Sequence, residues 1–409
     1  MTGRSLADWL EHIERLHPQA IALGLERVSE VFSRLNTKIS CPILTVGGTN
    51  GKGSTCAMLE AILNAAGYRT GLYTSPHLLR YNERVRVAGR ESDDVALCEA
   101  FAAVERARGG VPLTYFEFGT LAAVWLFERE KLDVVVLEVG LGGRLDAVNV
   151  LDADCSVLTS VGIDHVEYLG SNREDIGREK AGIFRSGRPA VVTEPDPPRS
   201  VIETEARLLL IGHDFGYAAE GTQWSYWGPA GKRGGLAYPA LRGAIQLRNA
   251  SAALDALREQ LPVAMQEVRR GLADVMLPGR FQVLPGRPQV ILDVAHNPEA
   301  ATALASNLAA SGFAPETIAV FGMLRDKDIA GVVRAVAPRI SRWHLATLPG
   351  PRGARSEVLL NLLRKEKIQS PAKEHPSVAA ALAAAKSEAG EGDKIVVFGS
   401  FLTVAGAYG

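Results

Sequence analysis

A glycine-rich turn between an apolar run and a helical pattern constrains this chain more than any other stretch. Residues 42–46 (PILTV) are typical of a buried strand, and residues 56–63 (CAMLEAIL) have the apolar periodicity of a helix. Between them lies GGTNGKGST, residues 47–55. Glycines let backbone N–H groups converge on an anion, and a helix N-terminus adds positive potential. The pattern therefore predicts an α/β domain with a phosphate-binding loop.

The turn departs from the general P-loop pattern in two places. That pattern has a glycine five residues before the Gly-Lys pair, where this chain has Val46, and a hydroxyl directly after the lysine, where it has Gly53. The turn is thus one residue tighter, and the hydroxyl comes one place later, at Ser54. We interpret it as a site in which Lys52 reaches the outer phosphates of ATP. The alternative is a glycine-rich strand-to-helix turn that binds no ligand.

Length and composition predict a soluble protein of two domains. A chain of 409 residues is too long for one ordinary core, and its 47% hydrophobic and 22% charged residues are typical of globular proteins. The net charge of −1, without a basic run, does not indicate a nucleic-acid partner. Four cysteines without a C-x-x-C pair indicate thiols in a reducing compartment. Because no stretch could span a bilayer and residues 5–13 form an acid-containing amphipathic pattern, we expect no membrane association and a cytoplasmic location.

Polar residues follow three predicted strands at their carboxyl ends, where open α/β sheets bind ligands. Residues 74–78 (TSPHL) follow the first of these strands, although for this stretch alone a simple turn is the better interpretation. Glu138 ends a continuous apolar run and suits a Walker-B-type Mg²⁺ role. His165 follows another strand and is either a metal ligand or a satisfied structural residue. Lys180, on a predicted helix, would ordinarily be a solvated charge.

Two further stretches have ambiguous patterns. Phe116 and Phe118 flank Glu117 at a helix start. The two aromatic rings could stack on a flat ligand ring, with the Glu117 carboxylate accepting hydrogen bonds from the N–H groups of that ligand. From sequence alone, packing in the core is the better interpretation. Residues 140–146 (GLGGRLD) resemble a dinucleotide fingerprint. Leu145 takes the place of its third glycine and no helical pattern follows directly, so we exclude NAD binding.

The densest Pro/Gly stretch, residues 277–288, marks the predicted domain boundary. Before it, residues 195–242 have the Gly, Trp and Tyr content of short antiparallel strands. After it, strands and helices alternate, which is typical of a doubly wound α/β domain. We therefore predict a P-loop ATPase domain with a mostly parallel sheet over residues 1–284, and a smaller Rossmann-like α/β domain over residues 285–409.

A series of motifs in this order resembles one family over nearly the whole chain, from Leu6 to Ala405. The motifs are GTNGKGS, TSPHL with NERVRV, LTYFEFGTLAA, VVLEVGLGGRLDAVN, SVGIDHVEYLG, EKAGIF, LPGRFQV, LDVAHNP, GMLRDKD, GPRGARSE and VFGSFLTVA. The chain resembles the bacterial bifunctional dihydrofolate synthase/folylpolyglutamate synthase family of the Mur ligase superfamily. The resemblance implies ATP-dependent amide formation between a pteroate or folate carboxylate and L-glutamate, with release of ADP and phosphate.

The resemblance also implies roles for individual residues. The implied ATP-binding residues are Gly51, Lys52, Gly53, Ser54, Asn249, Arg280, Asp293 and His296. The implied metal ligands, for two Mg²⁺ ions, are Ser54, Ser75, Glu138 and His165. Lys52, Glu138, His165 and Lys180 would be catalytic, with Lys180 carbamylated by CO₂ so that its ammonium is replaced by a carboxylate.

The acceptor pocket and the glutamate contacts are implied in the same way. Pocket residues would be Ala22, Leu23, Gly24, Leu25, Phe116, Glu117, Phe118, Gly119, Leu145, Asp146 and Ala147. The FEF sequence favours the bifunctional type, and His296 with loops 322–328 and 397–401 would contact glutamate. The expected partners are dihydropteroate, folates, L-glutamate and ATP, and we expect the enzyme to be a monomer. The alternatives are another Mur-type amino-acid ligase and a nucleotide-binding module without ligation.

Overall fold

The computed structural model describes residues 4–19, 21–229, 231–257 and 261–408. The chain divides into two compact units. The first comprises Met1–Ala240 and Leu247–Val275, and the second Leu241–Gln246 and Met276–Gly409. Within the described ranges, no helix has the length and apolarity that a bilayer crossing requires.

The first unit is built on an eight-stranded sheet. Its strands are β1 (Ile43–Gly47), β2 (Thr70–Tyr73), β3 (Val85–Val87), β4 (Arg90–Glu91), β5 (Val134–Glu138), β6 (Cys155–Leu158), β7 (Pro189–Val192) and β8 (Arg207–Leu210). Their order is β4-β3-β2-β5-β1-β6-β7-β8, and all pairings from β2 to β8 are parallel. The carboxyl ends of β2, β5, β1 and β6 therefore lie side by side at one edge.

In the described part of the chain, ten helices accompany this sheet. They are α1 (Leu6–Glu14), α2 (Glu26–Leu35), α3 (Lys52–Ala65), α4 (Asp94–Arg108), α5 (Tyr115–Arg129), α6 (Val166–Leu169), α7 (Arg173–Ala181), α8 (Arg199–Ile202), α9 (Ile245–Leu257) and α10 (Met265–Asp274). Local sequence fixes several starts: the Asp93 carboxylate accepts the N–H of Ala96 at α4, and Thr114 and Glu117 form a reciprocal cap at α5.

The core of the first unit lies where α4 and α5 pack together. Phe101 of α4 and Phe118 of α5 are fully buried, with ring centroids 5.8 Å apart in an edge-to-face arrangement. Tyr81 adds a second edge-to-face contact to Phe101 at 5.4 Å. Every residue of β1 and β5 is buried, which agrees with the continuous apolar runs in the sequence.

The weakly patterned region 195–242 is partly as predicted. A three-stranded antiparallel sheet forms from β9 (Gly216–Glu220), β10 (Gln223–Gly228) and β11 (Gly231–Ala237). However, β8 adds to the parallel sheet instead, so the prediction of antiparallel strands is wrong for that segment. Its short apolar run, Arg207–Leu210, carries no signal that distinguishes the two pairings.

As far as the structure describes it, the second unit is a six-stranded sheet with five α-helices. The strands are β12 (Gln282–Leu284), β13 (Gln289–Asp293), β14 (Thr317–Phe321), β15 (Arg342–Ala346), β16 (Ala372–His375) and β17 (Lys394–Phe398). The helices are α11 (Pro298–Ala310), α12 (Ile329–Val336), α13 (Ser356–Lys365), α14 (Val378–Glu388) and α15 (Phe401–Ala405). The order is β12-β13-β17-β14-β15-β16, with only β12 antiparallel. The predicted fold class, two α/β domains with mostly parallel sheets, is confirmed.

The division between the units lies earlier in the chain than residues 284 and 285. The second unit resumes at Met276, and β12 pairs with β13 through Gln282 and Leu292. The Pro/Gly-rich residues 285–288 connect these two antiparallel strands. Proline and glycine are as common in such turns as in linkers, so their density alone does not distinguish a hairpin from a boundary.

Candidate functional site

Glu138 and Ser75 meet at the carboxyl edge of the first sheet. Glu138 ends β5, only 5% of it is exposed, and one of its carboxylate oxygens accepts the backbone N–H of Ser75 at 3.1 Å. Ser75 follows β2, which neighbours β5. On the other side of β5, Val46 of β1 lies in register with Glu138. The adjacency of the strands thus places a buried carboxylate beside the glycine-rich loop.

The end of β6 holds this loop in place. The N–H of Thr49 donates to the carbonyl of Ser160 at 2.9 Å, and the N–H of Asn50 donates to the Ser160 hydroxyl at 2.9 Å. The Thr159 hydroxyl donates to the Asn50 carbonyl at 2.7 Å. Neither Thr159 nor Ser160 was identified as a site residue from sequence, because no local pattern predicts that β6 lies next to β1 in the sheet.

Two glycines of the loop have no room for a side chain. A Cβ on Gly48 would lie 1.9 Å from the Thr159 hydroxyl, and one on Gly51 would lie 2.8 Å from Oδ1 of Asn249. Both have positive φ, 142° and 92°, which glycine adopts without strain. The same contact places Asn249, implied only by the resemblance, directly against the loop.

Lys52 is the first residue of α3 and folds back over the loop. Its ammonium donates to the carbonyls of Gly48 at 2.9 Å and Thr49 at 3.2 Å. Ser54 lies in the same first turn and is buried. Because first-turn N–H groups have no acceptor within a helix, this arrangement offers converging donors and a cation to a phosphate.

His165 and Lys180 occupy different environments. His165 has a φ of 52° and occupies the N-cap position of the short helix α6, and 31% of its side chain is exposed; its backbone N–H donates to the Asp164 carboxylate. Lys180 of α7 is only 4% exposed, so the general expectation of a solvated charge is wrong. A Cβ on Gly143 would lie 2.8 Å from the Lys180 carbonyl, which shows how closely α7 packs on the segment after β5.

The predicted metal ligands suit a cation whose coordination shell is completed by substrate oxygens and water. The described ranges contain no group of three or more His, Cys, Asp or Glu side chains that could form an all-protein cage. The predicted set has one buried carboxylate, Glu138, together with hydroxyls and an imidazole. Mg²⁺ binds proteins through one or two carboxylates plus phosphate oxygens, so these residues suit it when a nucleotide is present.

The segments predicted to form the acceptor pocket contact one another. The N–H of Gly24 donates to the Leu145 carbonyl at 3.4 Å. The Arg27 guanidinium bridges two of these segments, because it donates to the Ala22 carbonyl at 2.7 Å and to the Glu117 carboxylate at 2.8 Å. Sequence reasoning missed Arg27, whose carboxylate partner lies 90 residues away in the chain.

The aromatic residues around Glu117 separate into two roles. Phe118 is fully buried in the core, as the core-packing interpretation predicted. Phe116 is only partly buried, lies 5.8 Å from the Tyr73 ring and fills the space above Gly140, where a Cβ would come within 2.7 Å of it. The Glu117 carboxylate already accepts the N–H of Thr114 and pairs with Arg27, so it organises the segment.

Asp146 is a buried carboxyl in the same region. It accepts the N–H groups of Leu141 at 2.8 Å and Val148 at 3.1 Å. Burial raises the pKa of Asp146 to about 7, and these backbone donors and the Lys52 ammonium offset only part of the rise. The influence of Lys52 on this pKa links the glycine-rich loop electrostatically to the acceptor segments.

The raised pKa of Asp146 predicts a pH dependence of stability. Between about pH 4 and pH 7 the folded chain keeps a proton on Asp146 that the unfolded chain releases. The unfolding free energy should therefore fall with rising pH by up to about 1.4 kcal/mol per pH unit. Urea unfolding at several pH values, with Asp146→Asn for comparison, measures this contribution. We expect a shallower pH dependence in the variant; parallel profiles would contradict the assignment.

In the second unit, Asp293 ends β13 and forms a cluster with its neighbours. Its carboxylate accepts the N–H groups of Phe281 at 2.9 Å and Ala295 at 2.8 Å. Burial raises the pKa of Asp293 to about 6, opposed in part by the Ala295 N–H and by the Arg280 charge. The Arg280 guanidinium lies 5.1 Å from the Phe401 ring centroid. The structure thus brings together Arg280 and Asp293, two of the predicted ATP-binding residues.

His296 joins this cluster through the same ring. Its Nδ1–H donates to the Val294 carbonyl at 2.9 Å, and its ring lies 6.4 Å from Phe401. Asn297 then caps α11, with Pro298 at the first helical position, as the sequence predicted.

Comparison with known proteins gives the same assignment along the whole chain. The Mur ligase middle domain matches residues 46–226, and the Mur ligase glutamate ligase domain matches residues 279–401. The dihydrofolate synthase/folylpolyglutamate synthase of Escherichia coli K12 is 48% identical over 98% of this chain and 94% of its own length. That of Haemophilus influenzae is 40% identical over 98% and 96%.

Solved structures agree. Escherichia coli FolC in complex with DHPP and ADP superposes with a TM-score of 0.94 at 48% identity, covering 98% of this chain and 96% of that one. A bifunctional folylpolyglutamate synthase/dihydrofolate synthase with Mn, AMPPNP and L-glutamate bound gives 0.90 at 46%, covering 98% and 97%. The chain therefore belongs to the dihydrofolate synthase/folylpolyglutamate synthase family of Mur ligases and is an ATP-dependent ligase.

Proposed function

We propose that this enzyme joins L-glutamate to 7,8-dihydropteroate, giving dihydrofolate, and to reduced folates, while ATP is converted to ADP and phosphate. The observation that supports this most is the meeting of the Lys52 loop with the buried Glu138–Ser75 pair at adjacent strand ends. The relatives named above carry both activities in their names, and one of their structures holds DHPP and ADP.

The chemistry explains the need for ATP. A carboxylate is a poor acyl donor because its leaving group would be oxide. Transfer of the γ-phosphoryl group to a carboxylate oxygen breaks the bond to ADP and forms an acyl phosphate. The neutral amine of glutamate then attacks the carbonyl carbon, and the tetrahedral intermediate expels phosphate. The first step brings several negative charges together, so the Lys52 ammonium at the phosphates would lower its barrier.

A divalent cation would share in this neutralisation. Ser54, Ser75, Glu138 and His165 are the residues that we propose hold Mg²⁺, at two sites, and the ion when bound would offset phosphate charge. A related structure contains Mn with AMPPNP. The buried Glu138 carboxylate, fixed by the Ser75 N–H, is the element of this chain that best suits a hard cation.

We extend the proposal to Lys180, as a lysine carbamylated by CO₂. Its burial suits this, because a carbamate would present oxygen donors to a cation, and pairing with that cation would offset the cost of burying the carbamate charge. Lys180→Ala should lower kcat by about 10²-fold, with partial rescue by a short carboxylate. The exposed Lys131→Ala is the control. Intact-mass measurement should show a CO₂ adduct on wild type that Lys180→Ala lacks; no adduct, with full activity in that variant, would exclude carbamylation.

The overall proposal is tested by product analysis. Purified enzyme receives ATP, Mg²⁺ and L-glutamate with either dihydropteroate or tetrahydrofolate, and amide products are identified by mass spectrometry. We expect a glutamate adduct of each acceptor and one phosphate per amide. A UDP-linked cell-wall precursor as the third acceptor tests the other Mur-type ligases and should yield no product. ATP binding without any amide would leave only a nucleotide-binding module.

A further inference from the structure

Arg84 is a buried cation that has no acidic partner within the described ranges of the chain. It ends the turn Tyr81–Arg84 just before β3 and is only 9% exposed. Its guanidinium carbon lies 5.5 Å from the Tyr81 ring centroid and 5.4 Å from that of Tyr115. Its Nε donates to Nδ1 of His77 at 2.8 Å. Among the residues that the structure describes, no carboxylate lies within 4.0 Å of its nitrogens, and its two terminal NH₂ groups form no hydrogen bond.

The lack of an acidic partner among the described residues sets Arg84 apart from comparable arginines of the same unit. Arg27 pairs with Glu117 at 2.8 Å, and Arg86, two residues further along, pairs with Glu60 at 3.1 Å. Buried charges are normally paired, and a guanidinium has five donors in a fork that matches a carboxylate. The unused face of Arg84 therefore indicates an anionic ligand that is planar and bidentate.

His77 adds a further donor to the same place. Because Nε of Arg84 can only donate, Nδ1 of His77 accepts, and the ring proton resides on Nε2. The Arg84–His77 pair thus presents only donors to a ligand.

The pair adjoins the proposed acceptor segments. Tyr115 begins α5 directly before Phe116, and the Tyr81 hydroxyl lies 2.5 Å from the place that a Cβ on Gly119 would take. His77 lies two residues beyond Ser75, which contacts Glu138. A carboxylate on Arg84 would therefore belong to the acceptor, close to its reacting end.

We propose that Arg84 binds the non-reacting carboxylate of the acceptor's terminal glutamate and so determines specificity between the two acceptors. This rests on the proposed function. Dihydropteroate has one carboxylate, which is the group that is phosphorylated. A folate ends in glutamate with two: one reacts, and the other requires a counter-ion where it is shielded from water. Arg84 supplies that counter-ion for folates and contributes little for dihydropteroate.

The first test compares both acceptors in Arg84→Gln. Loss of a charge-assisted bidentate contact should lower kcat/KM for tetrahydrofolate by about 10- to 100-fold, mainly through KM. The value for dihydropteroate should stay within about threefold, and KM for ATP should not change. Arg86→Gln, on the neighbouring strand, removes an arginine paired with Glu60 and should affect neither acceptor.

The second test needs no variant, so it also decides the matter if Arg84→Gln folds poorly. Wild-type enzyme is assayed with both mono-amides of tetrahydrofolate. With the amide that keeps the reacting carboxylate, kcat/KM should be about 10- to 100-fold lower than with tetrahydrofolate. If Arg84→Gln folds, its kcat/KM with this amide should be no lower than its kcat/KM with tetrahydrofolate.

Three results would overturn the proposal. In Arg84→Gln, kcat/KM could fall equally with both acceptors, or KM for L-glutamate could rise in both reactions. Wild type could also convert the mono-amide that keeps the reacting carboxylate as efficiently as tetrahydrofolate. A raised KM for L-glutamate would assign Arg84 to the incoming amino acid. If wild type converted neither acceptor, the proposed function itself would be wrong, which is a different outcome.

Discussion

Lys52→Ala is expected to reduce kcat/KM for ATP by about 10³-fold while the fold persists. In the structure the ammonium donates only to two carbonyls of its own loop, those of Gly48 and Thr49. Loss of those bonds should cost the fold about 1–2 kcal/mol. ATP, however, would lose the cation of this loop that we propose contacts its outer phosphates. Initial rates over an ATP titration measure kcat/KM, isothermal titration with a non-hydrolysable ATP analogue measures the binding affinity, and thermal unfolding measures the stability of the fold.

The matched control is Lys38→Ala, which removes an exposed lysine from the same unit. Its ATP affinity should equal that of wild type, because an exposed charge away from the loop is screened by solvent. Wild-type affinity in Lys52→Ala would refute the phosphate-binding loop. It would support the alternative of a glycine-rich turn without a ligand.

Glu138→Gln is expected to lower kcat by about 10²- to 10³-fold and to raise the Mg²⁺ concentration required for half-maximal rate. The exchange is nearly isosteric, and the amide oxygen can still accept the Ser75 N–H, so the packing at the end of β5 should persist. What disappears is the negative charge, and an amide oxygen is a weaker ligand for a hard cation. Initial rates over a Mg²⁺ titration measure both effects.

Glu60→Gln provides a control of equal burial, since Glu60 is also only 5% exposed and lies on α3, where it pairs with Arg86. Its substitution can lower stability but should leave the Mg²⁺ dependence unchanged. If Glu138→Gln instead had the wild-type rate and Mg²⁺ dependence, Glu138 would have no part in the reaction.

The features predictable from sequence are those that local patterns determine. The run 42–46, the turn and the helix after it gave a strand, a loop and α3 in the right places, because burial and glycine conformation are encoded within a few residues. Glu138 could be placed at a strand end for the same reason. That Ser75 would contact it follows only from strand order, since β2 and β5 are distant in sequence.

The features that sequence reasoning missed depend on tertiary packing. Lys180 looks like a surface lysine on a charged helix, and only the fold shows that it is buried. The carboxylate that pairs with Arg27 lies on another segment, and in the described part of the chain no carboxylate lies within 4.0 Å of the Arg84 nitrogens; neither feature has a local signature in the sequence. The residues of the acceptor segments were identified by resemblance, and their roles remain predictions.

The central claim is that ATP activates the acceptor carboxylate by phosphorylating it. Dihydropteroate labelled with ¹⁸O in both carboxylate oxygens tests this directly, with mass analysis of the phosphate released in the presence of ATP, Mg²⁺ and L-glutamate. Because the acyl phosphate leaves with an oxygen of the acid, each phosphate should carry one ¹⁸O atom per amide formed. Unlabelled phosphate accompanying labelled amide would contradict the account.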